Sequence, residues 1–442
     1  MFTDAFWPRV NGVTVSVDSF SRALVNMGHE VMVFCSSYPK NMSNPVSLDE
    51  NAEADNLYKI VRIPSLPVTV SKEDRVAKLN KLSWVFRQAD EFNPDIIHIN
   101  SEMVIAEFGF LYARTHNLPV VYTFHTMWED YAPYYFPYIP EFIVKYIVNR
   151  VIKNVLRRSY RVIVPTVQIE ETVKKYKLDI SPVLLPTGID IKMFEHSGKE
   201  IAEFRSKMEG LFTCLKNKRI LLFAGRVAKE KNIGFLLNIL PEILADHPDV
   251  ILIVAGNGPD IDYYRNEAER LGIKDKCIFP GYFIRSELAL IYSISEIFLF
   301  PSLTDTQGLV TLEAMLSGTP VVAIGAMGTL TIMGGDKGGF MVKNDEAEFT
   351  AKVKSLLDDP VLRAEKSGEA RLHARLWSID EIAKKLSAFY RSTALEYIEE
   401  YGCRIIPVLE LIIQKRWWKI NNFILKKKTK QNWKKILSKL KA

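Results

Sequence analysis

Residues 300–315, FPSLTDTQGLVTLEAM, combine two carboxylates, a glycine and the predicted start of a helix. An apolar strand end leads into a loop, and the helix is predicted to begin near Gly308. The first backbone N–H groups of a helix have no partner within it, and the helix dipole adds positive charge there. Leu309 and Val310 would therefore offer amides to a phosphate, and Gly308 would let that ligand approach the backbone closely.

The two carboxylates of this segment differ in their expected positions. Asp305 lies in the loop, whereas Glu313 falls within the helix. We expect one carboxylate to face the hydroxyls of a sugar and the other to face the hydroxyls of a ribose. The alternative is that Glu313 only occupies an exposed helix face, but its neighbours Leu312, Ala314 and Met315 are apolar.

The spacing of these carboxylates resembles the carboxylate pair, separated by seven residues, of the family 4 retaining glycosyltransferases with the GT-B fold. That family usually has Glu at the first position, so Asp305 shortens this side chain by one methylene and affects the expected sugar contacts. The Asp-Thr-Gln-Gly sequence is similar to that of enzymes that glycosylate diacylglycerol. The resemblance extends along the chain to about Tyr397.

Residues 223–232, FAGRVAKEKN, resemble the family segment that places an Arg and a Lys against the diphosphate of the donor. The resemblance assigns these roles to Arg226 and Lys231. Two cations there would stabilise the charge that develops on a departing nucleoside diphosphate. The alternative, a solvated run of charges, is disfavoured by the strand and the glycine that precede it.

Two further segments of the second half match the family. Residues 254–259, VAGNGP, form a strand followed by a glycine turn, which taken alone is weak evidence. Residues 279–283, FPGYF, resemble the loop whose backbone reads the nucleotide base. Tyr282 or Phe283 would lie beside the base, and packing in the core is an equally good explanation of either ring.

In the first half, residues 9–14, RVNGVT, resemble the family's glycine loop after the first strand. Gly12 would permit the donor phosphate or the reacting sugar to lie against the backbone, although an Asn-Gly pair is ordinarily only a turn. His125 follows a buried strand, at the edge where open α/β sheets bind ligands. It resembles the family histidine whose ring or adjoining backbone contacts the transferred sugar, and the alternative is a hydrogen-bonded histidine at a strand end without a role in binding. His98 lies within a strand and is assigned a structural role.

Strands and helices alternate along the chain, which predicts parallel, doubly wound sheets. The fold class is α/β, with two Rossmann-like domains that face each other across a cleft and a basic C-terminal helical extension. Strands are expected at residues 31–35, 96–99, 120–124, 162–164, 219–225, 250–255, 277–279, 297–300 and 320–323. A helix is expected at 17–27, and residues 190–218, which carry no strand pattern, are the expected linker. The predicted divisions are an acceptor domain (1–192), a nucleotide-sugar domain (193–375), a helix crossing back to the first domain (376–397) and a membrane-associating tail (398–442).

Charge is distributed unevenly around the formal net value of +6. Residues 401–442 contain 12 Lys and Arg against one Glu, so this tail is near +11 and the rest of the chain is near −5. Tryptophans beside lysines in the tail are typical of a membrane interface. Nucleic-acid binding is the competing interpretation of a basic tail, but the acidic remainder of the chain offers no continuing basic groove.

A second segment also indicates a membrane surface. Residues 141–159 have apolar side chains at helical spacing together with five basic ones, the pattern of an amphipathic helix suited to anionic headgroups. The basic residues are Lys145, Arg150, Lys153, Arg157 and Arg158. The aromatic run at 128–138 could lie at the lipid interface, cover the acceptor entrance or pack in the core.

The four cysteines lie far apart without a CxxC pair, so disulfides and zinc are not expected and a reducing compartment fits. No apolar run is long enough to span a bilayer, and no secretory leader is recognised. We therefore expect a cytoplasmic protein, peripheral at the inner face of the plasma membrane. The first strand is unusually short, which suggests that residues upstream of Met1 are missing or that the start site is misassigned.

The resemblance implies transfer of a hexose, with glucose from UDP-glucose favoured, to a lipid acceptor such as 1,2-diacylglycerol, with retention of configuration. Neither a metal nor another cofactor is expected. The alternatives are galactose as the sugar, phosphatidylinositol mannosylation from GDP-mannose, or a soluble or polysaccharide acceptor. From other classes, a sugar-nucleotide epimerase or a silent nucleotide-sugar-binding protein remains open, and the oligomeric state is unknown.

Overall fold

The computed structural model describes residues 1–9, 11–39, 57–68, 71–125, 127–128, 136 and 138–402. Two parallel sheets dominate this part of the chain, so the predicted α/β fold class is confirmed. We call the first sheet with its helices the first lobe, and the second sheet with its helices the second lobe. Elements are numbered in chain order.

The first lobe is built on a parallel sheet of seven strands in the order β3-β2-β1-β6-β7-β8-β9. The strands are β1 Phe2–Thr3, β2 Met32–Ser36, β3 Lys59–Ile63, β6 Ile97–Ile99, β7 Val120–Thr123, β8 Arg161–Val164 and β9 Val183–Leu184, and β4 Ser65–Val68 pairs with β5 Ser71–Ala77 as a separate antiparallel hairpin. The helices are α1 Gly12–Asn26, α2 Leu82–Phe92, α3 Val104–His116, α4 Glu141–Arg158 and α5 Val167–Lys175.

The second lobe is built on a parallel sheet of six strands in the order β12-β11-β10-β13-β14-β15. The strands are β10 Arg219–Ala224, β11 Val250–Ala255, β12 Cys277–Gly281, β13 Ile297–Phe300, β14 Val321–Ile324 and β15 Gly339–Val342. The helices are α6 Gly198–Leu211, α7 Ile233–Asp246, α8 Ile261–Arg270, α9 Arg285–Ser293, α10 Leu309–Leu316, α11 Gly328–Met333, α12 Glu346–Asp358 and α13 Pro360–Ala374. Helices cover both faces of the sheet, which is why its central strands are continuous apolar runs.

The last described helix, α14 Ile379–Tyr401, returns to the first lobe. Its buried residues Ile382 and Leu386 share one apolar cluster with Phe20 and Leu24 of α1. The helix begins beside the turn at Gly188, where a Cβ would lie 2.5 Å from the Cα of Ile379. Only glycine allows this contact, so the end of the first lobe and the start of α14 are fixed together.

Some predicted boundaries differ from the structure. Helix α1 begins at Gly12 rather than at Val17, because the Asn11 side chain accepts a hydrogen bond from the Thr14 N–H and caps the helix. The stretch 190–218, interpreted as a linker without strands, contains α6, which starts with a capping box at Ser197 and Glu200. The exact domain limits stay predictions.

Among the described residues, no helix is long and apolar enough to cross a membrane. The basic tail from residue 403 onward lies outside the described residues, as does most of the aromatic run at 128–138. The expectations placed on those segments therefore stay predictions.

Candidate functional site

The two cations predicted to hold a diphosphate lie at the carboxyl end of β10. Lys231 Nζ is 2.7 Å from Asp305 Oδ2, so the cation from one loop and the carboxylate from another meet directly. Arg226 Nη1 lies 3.4 Å from Glu230 Oε1. Lys231 and Arg226 each contact a carboxylate, and a bound diphosphate would compete with these carboxylates for the cations.

The amino end of α10 closes this site on another side. Gly308 is the N-cap residue with φ at +73°, a left-handed conformation that glycine adopts without a steric penalty. As a glycine, Gly308 has no side chain with which to cap the helix. The backbone amides of Leu309 and Val310 have no acceptor within the helix itself, and they are therefore oriented to receive an anion.

Glu313 lies inside α10 and is 8% exposed. Its Oε2 accepts a hydrogen bond from the Tyr292 hydroxyl at 3.0 Å. The alternative that Glu313 occupies an exposed helix face is therefore wrong. The hydrogen bond fixes one carboxylate oxygen, and the lone pairs that remain on the group are suited to donors such as hydroxyls.

The glycine turn after β11 packs tightly against the segment that carries Arg226. A Cβ at Gly256 would lie 1.8 Å from the Gly225 oxygen, and a Cβ at Gly258 would lie 2.3 Å from the Val227 oxygen. The two strand ends can approach this closely only because both positions are glycine. This packing fixes the backbone on either side of Arg226.

The two aromatic candidates for a base contact differ in their surroundings. Tyr282 is half-buried, and its hydroxyl donates to the Asn257 oxygen at 3.2 Å. Phe283 packs against the core of the second lobe and contacts Phe204 edge to face, with ring centroids 6.4 Å apart. Tyr282 is therefore the better candidate for stacking on a base, and Phe283 has a packing role.

His125 lies just after β7, at the carboxyl edge of the first sheet. Its Nε2 donates to Asn100 Oδ1 at 3.0 Å, and its backbone oxygen accepts from Thr306 Oγ1 of the second lobe at 2.8 Å. Burial lowers the pKa of the His125 imidazole to about 4, so the ring is neutral near neutral pH. A neutral ring with Nε2 protonated can orient a substrate but carries no charge.

Two other predicted positions of the first half are also defined by the structure. His98 is buried, and its ring bonds the hydroxyls of Tyr390 and Thr123, as the structural interpretation requires. Gly12 is the first residue of α1 and not part of a loop, which corrects the expectation for this position. No heavy atom would lie within 4 Å of a Cβ there, so the space beside Gly12 is open.

Two buried carboxyls at the edge of the first sheet were missed by the sequence analysis. Asp4 accepts hydrogen bonds from the Ser101 hydroxyl at 2.6 Å and from the Ile105 amide at 3.2 Å. Glu102 accepts from the Tyr122 hydroxyl at 2.5 Å and from Trp128 Nε1 at 2.7 Å. Burial raises the pKa of Glu102 to about 7, although both hydrogen bonds act in the opposite direction.

Glu102 should make the stability of the protein fall as the pH rises. The folded carboxyl keeps its proton up to about pH 7, whereas in the unfolded chain the pKa is near 4.5. Ionisation of the buried group therefore destabilises the folded state by up to about 3 kcal/mol between pH 4.5 and pH 8. In Glu102→Gln this contribution is absent, so urea unfolding should show the variant gaining stability relative to wild type as the pH rises. Parallel curves for the two proteins would contradict the assignment.

The structure thus brings several predicted residues together. Lys231, Asp305 and Gly308 lie on adjoining segments of the second lobe, and Thr306 links the same loop to His125. Among the described residues, no three His, Cys, Asp or Glu side chains are placed to hold a metal ion. Cations and amides arranged in this way can bind an anion, and the carboxylates of Asp305 and Glu313 can accept hydrogen bonds from hydroxyl groups.

Similar architectures occur in solved structures. HepE from Anabaena, crystallised with UDP-glucose, superposes with a TM-score of 0.69 at 15% identity, covering 88% of this chain and 98% of that one. Sucrose-phosphate synthase from Thermosynechococcus elongatus gives a TM-score of 0.69 at 20% identity, covering 87% and 94%. Two Rossmann-like lobes of this form define the GT-B class of glycosyltransferase fold.

The sequence comparisons agree with the fold. The family model described as Glycosyltransferase Family 4 matches residues 10–192, and the one described as Glycosyl transferases group 1 matches residues 213–373. An alpha-monoglucosyldiacylglycerol synthase from Streptococcus pneumoniae is 30% identical over 395 residues, covering 88% of this chain and 84% of the relative. One from Acholeplasma laidlawii is 25% identical, covering 88% and 96%. The chain belongs to the family 4 glycosyltransferases, and the predicted enzyme class, a hexosyltransferase, is confirmed.

Proposed function

We propose that this enzyme transfers glucose from UDP-glucose to 1,2-diacylglycerol with retention of configuration. One observation carries the proposal: at the carboxyl edge of the second sheet, Lys231 pairs with Asp305 in the loop that leads into the amino end of α10. Two relatives that match most of the chain are alpha-monoglucosyldiacylglycerol synthases, which supports glucose and a lipid acceptor. The donor would be held by the second lobe and the acceptor by the first.

In the proposed reaction, the site residues bind different parts of the donor. Arg226, Lys231 and the amides of Leu309 and Val310 neutralise the diphosphate as it departs. Glu313 and Asp305 bind hydroxyls of the donor, and Tyr282 lies beside the base. These interactions strengthen as negative charge develops on the leaving group, so they stabilise the transition state more than the bound donor.

The acceptor side of the reaction follows from the first lobe. His125 and the open space at Gly12 would lie against the sugar when the lobes are closed. No side chain is assigned as a covalent nucleophile, so we propose attack of the acceptor hydroxyl on the same face that the diphosphate leaves. The departing phosphate oxygen accepts the proton of that hydroxyl as the new glycosidic bond forms.

Product analysis tests the donor and the acceptor together. Purified enzyme is incubated separately with labelled UDP-glucose, UDP-galactose and GDP-mannose, each with vesicles that contain diacylglycerol and phosphatidylinositol. We expect a chloroform-soluble α-glucosyl diacylglycerol from UDP-glucose alone. Mannosylated phosphatidylinositol would overturn the proposal, and a water-soluble product alone would overturn the lipid acceptor. Release of the sugar as an epimer without acceptor would indicate an epimerase instead.

A lipid acceptor requires access to a membrane, and α4 offers a surface for it. Five side chains on this helix are exposed although they are apolar or aromatic: Phe142 (73%), Ile143 (37%), Tyr146 (61%), Ile147 (52%) and Val151 (42%). Lys145 and Arg158 pair with Glu141 and Glu107, while among the described residues no carboxylate lies at ion-pair distance from Arg150, Lys153 or Arg157. We propose that α4 contacts an anionic leaflet, with each of these three basic residues contributing about 1 kcal/mol.

Replacing exposed apolar residues of α4 should weaken membrane binding. Tyr146→Glu with Ile147→Glu introduces two charges where lipid contact is proposed, so the fraction sedimenting with phosphatidylglycerol vesicles should fall by about 10-fold or more. The matched control is Val361→Glu with Leu372→Glu on α13, whose side chains are 77% and 73% exposed on the other lobe. Equal losses in both variants would contradict the role of α4. Removal of residues 415–442 tests the tail separately.

A further inference from the structure

We call the loop between β13 and α10, residues 301–308, the donor loop. Gln307 lies in this loop, but its side chain makes hydrogen bonds to the first lobe. Its Oε1 accepts from the Thr187 N–H at 2.9 Å, and its Nε2 donates to the Thr187 oxygen at 2.8 Å. The side chain is 6% exposed, and both hydrogen bonds are buried. One amide thus pairs with both backbone groups of a single residue, as a neighbouring strand would.

The adjacent residue, Thr306, makes two more contacts to the same lobe. Its hydroxyl donates to the His125 oxygen at 2.8 Å, and its backbone oxygen accepts from Thr166 Oγ1 at 3.2 Å. Two consecutive residues of the donor loop therefore reach three separate segments of the first lobe, which follow β7, β8 and β9. These contacts connect the lobes at the loop that carries Asp305.

The same loop is packed firmly within its own lobe. The backbone oxygen of Asp305 accepts a hydrogen bond from the Gly328 N–H at 2.9 Å. A Cβ at Gly328 would lie 2.3 Å from the Gln307 carbonyl carbon. The preceding residue, Met327, has φ at +43°, which is strained for a side chain other than glycine. Met327 also packs against the apolar core of the first lobe.

On the other side, the chain of contacts reaches α1. Thr187 Oγ1 donates to Ser16 Oγ at 2.8 Å, and Ser16 lies one helical turn from Gly12. A hydrogen-bonded path therefore runs from α1 through Thr187 to Gln307, which lies two residues after Asp305 in the chain. Loss of the Gln307 amide would leave a buried N–H and a buried carbonyl without partners, so this arrangement resists distortion.

We propose that Thr306 and Gln307 are positioning residues, which form a clasp between the lobes and set the place of the donor loop relative to His125. This inference rests on the proposed function, because it takes His125 and the donor loop as the two sides of the reaction. The clasp does not touch the nucleotide. It acts on the alignment of the sugar with the acceptor side, so it affects the chemical step more than donor affinity.

Kinetics of two variants test the clasp. Gln307→Glu keeps the size and the acceptor oxygen but places a second acceptor against the Thr187 oxygen. Thr306→Val keeps the shape of the side chain and removes the hydroxyl that donates a hydrogen bond to the His125 backbone oxygen. We expect kcat to fall by about 30-fold or more in the first variant and about 10-fold in the second, with the Kd for UDP by calorimetry within about threefold of wild type. Thr306→Ser retains the hydroxyl and should restore kcat to within about threefold.

The matched control is Thr331→Val, which removes another hydrogen bond between the lobes, from Thr331 Oγ1 to Gln168 Oε1 at 2.9 Å; this bond is made by a residue of α11 and not by a residue of the donor loop. Its kcat should stay within about threefold of wild type. In Gln307→Glu the repulsion between the new acceptor and the Thr187 backbone oxygen should also move the side chain away from the Thr187 N–H, so hydrogen exchange at this amide should accelerate in that variant alone. This readout does not need activity.

Three outcomes would overturn the clasp: unchanged kcat in both clasp variants, an equal loss in Thr331→Val, or a loss of UDP affinity that accounts for the whole effect. If the wild-type enzyme transfers no sugar, the proposed function fails. In that case unchanged exchange at Thr187 in Gln307→Glu would also exclude the clasp itself. Thermal melts of all the variants show whether each one folds.

Discussion

Replacing Arg226 and Lys231 together with alanine is expected to reduce turnover by about 10⁴-fold. Each cation faces the site where the diphosphate is proposed to leave, and loss of one preorganised charge or donor typically lowers kcat by about 10²–10³-fold. The two losses are expected to combine incompletely, because the cations act on the same group. Single-turnover transfer from UDP-glucose measures the effect on the chemical step directly.

The control for this pair is Lys229→Ala. Lys229 lies in the same turn, Lys229–Lys231, but its side chain is exposed. Lys229→Ala removes the same charge as replacing one of the proposed cations. If turnover depended only on positive potential near the site, Lys229→Ala would lower turnover as much as the loss of either cation. We expect turnover within about twofold of wild type. Unchanged turnover in the double variant would show that the diphosphate does not bind at this site.

Glu313→Gln is expected to lower kcat/KM by about 100-fold. The substitution preserves the volume of the side chain in its buried position but removes the charge. A hydrogen bond to a charged group contributes about 1.5–3 kcal/mol, which corresponds to about 10-fold to 150-fold. The variant should also bind UDP-glucose more weakly by calorimetry, since this carboxylate is proposed to bind hydroxyls of the donor before the reaction.

Tyr292→Phe distinguishes the proposed role of Glu313 in donor binding from the effect of the hydrogen bond that orients its side chain. The substitution removes only the hydroxyl that donates to Glu313 at 3.0 Å. The carboxylate keeps its charge and loses one orienting bond, so we expect a decrease of about 5-fold to 10-fold. A loss in Tyr292→Phe as large as that in Glu313→Gln would indicate that Glu313 has a structural role rather than a role in donor binding.

Much of the fold was predictable because strands of a parallel sheet are buried on both faces. Such strands appear in the sequence as short apolar runs, as at Val250–Ala255 and Ile297–Phe300. The region of β3 to β5 was not predicted. Lys59–Ile63 mixes two charged residues with three apolar ones at the edge of the sheet, and Ser65–Val68 contains a proline within a separate hairpin.

The candidate site was predictable where its residues form a local motif. Asp305, Gly308 and Glu313 belong to one strand–loop–helix unit, so their relation follows from the sequence spacing. The clasp could not be predicted in this way, because Gln307 bonds a residue 120 positions away and Thr306 bonds one 181 positions away. The burial of Glu102 could not be predicted either, because no pattern in the neighbouring sequence indicates that its carboxyl group is shielded from water.

A crystal structure of the enzyme with UDP bound tests the central claim most directly. The proposed site predicts that the diphosphate oxygens lie about 3 Å from the Leu309 and Val310 amides, with Arg226 and Lys231 turned from their carboxylate partners towards the phosphates. The base should stack beside Tyr282. A diphosphate bound elsewhere, with Lys231 still paired to Asp305, would contradict the account.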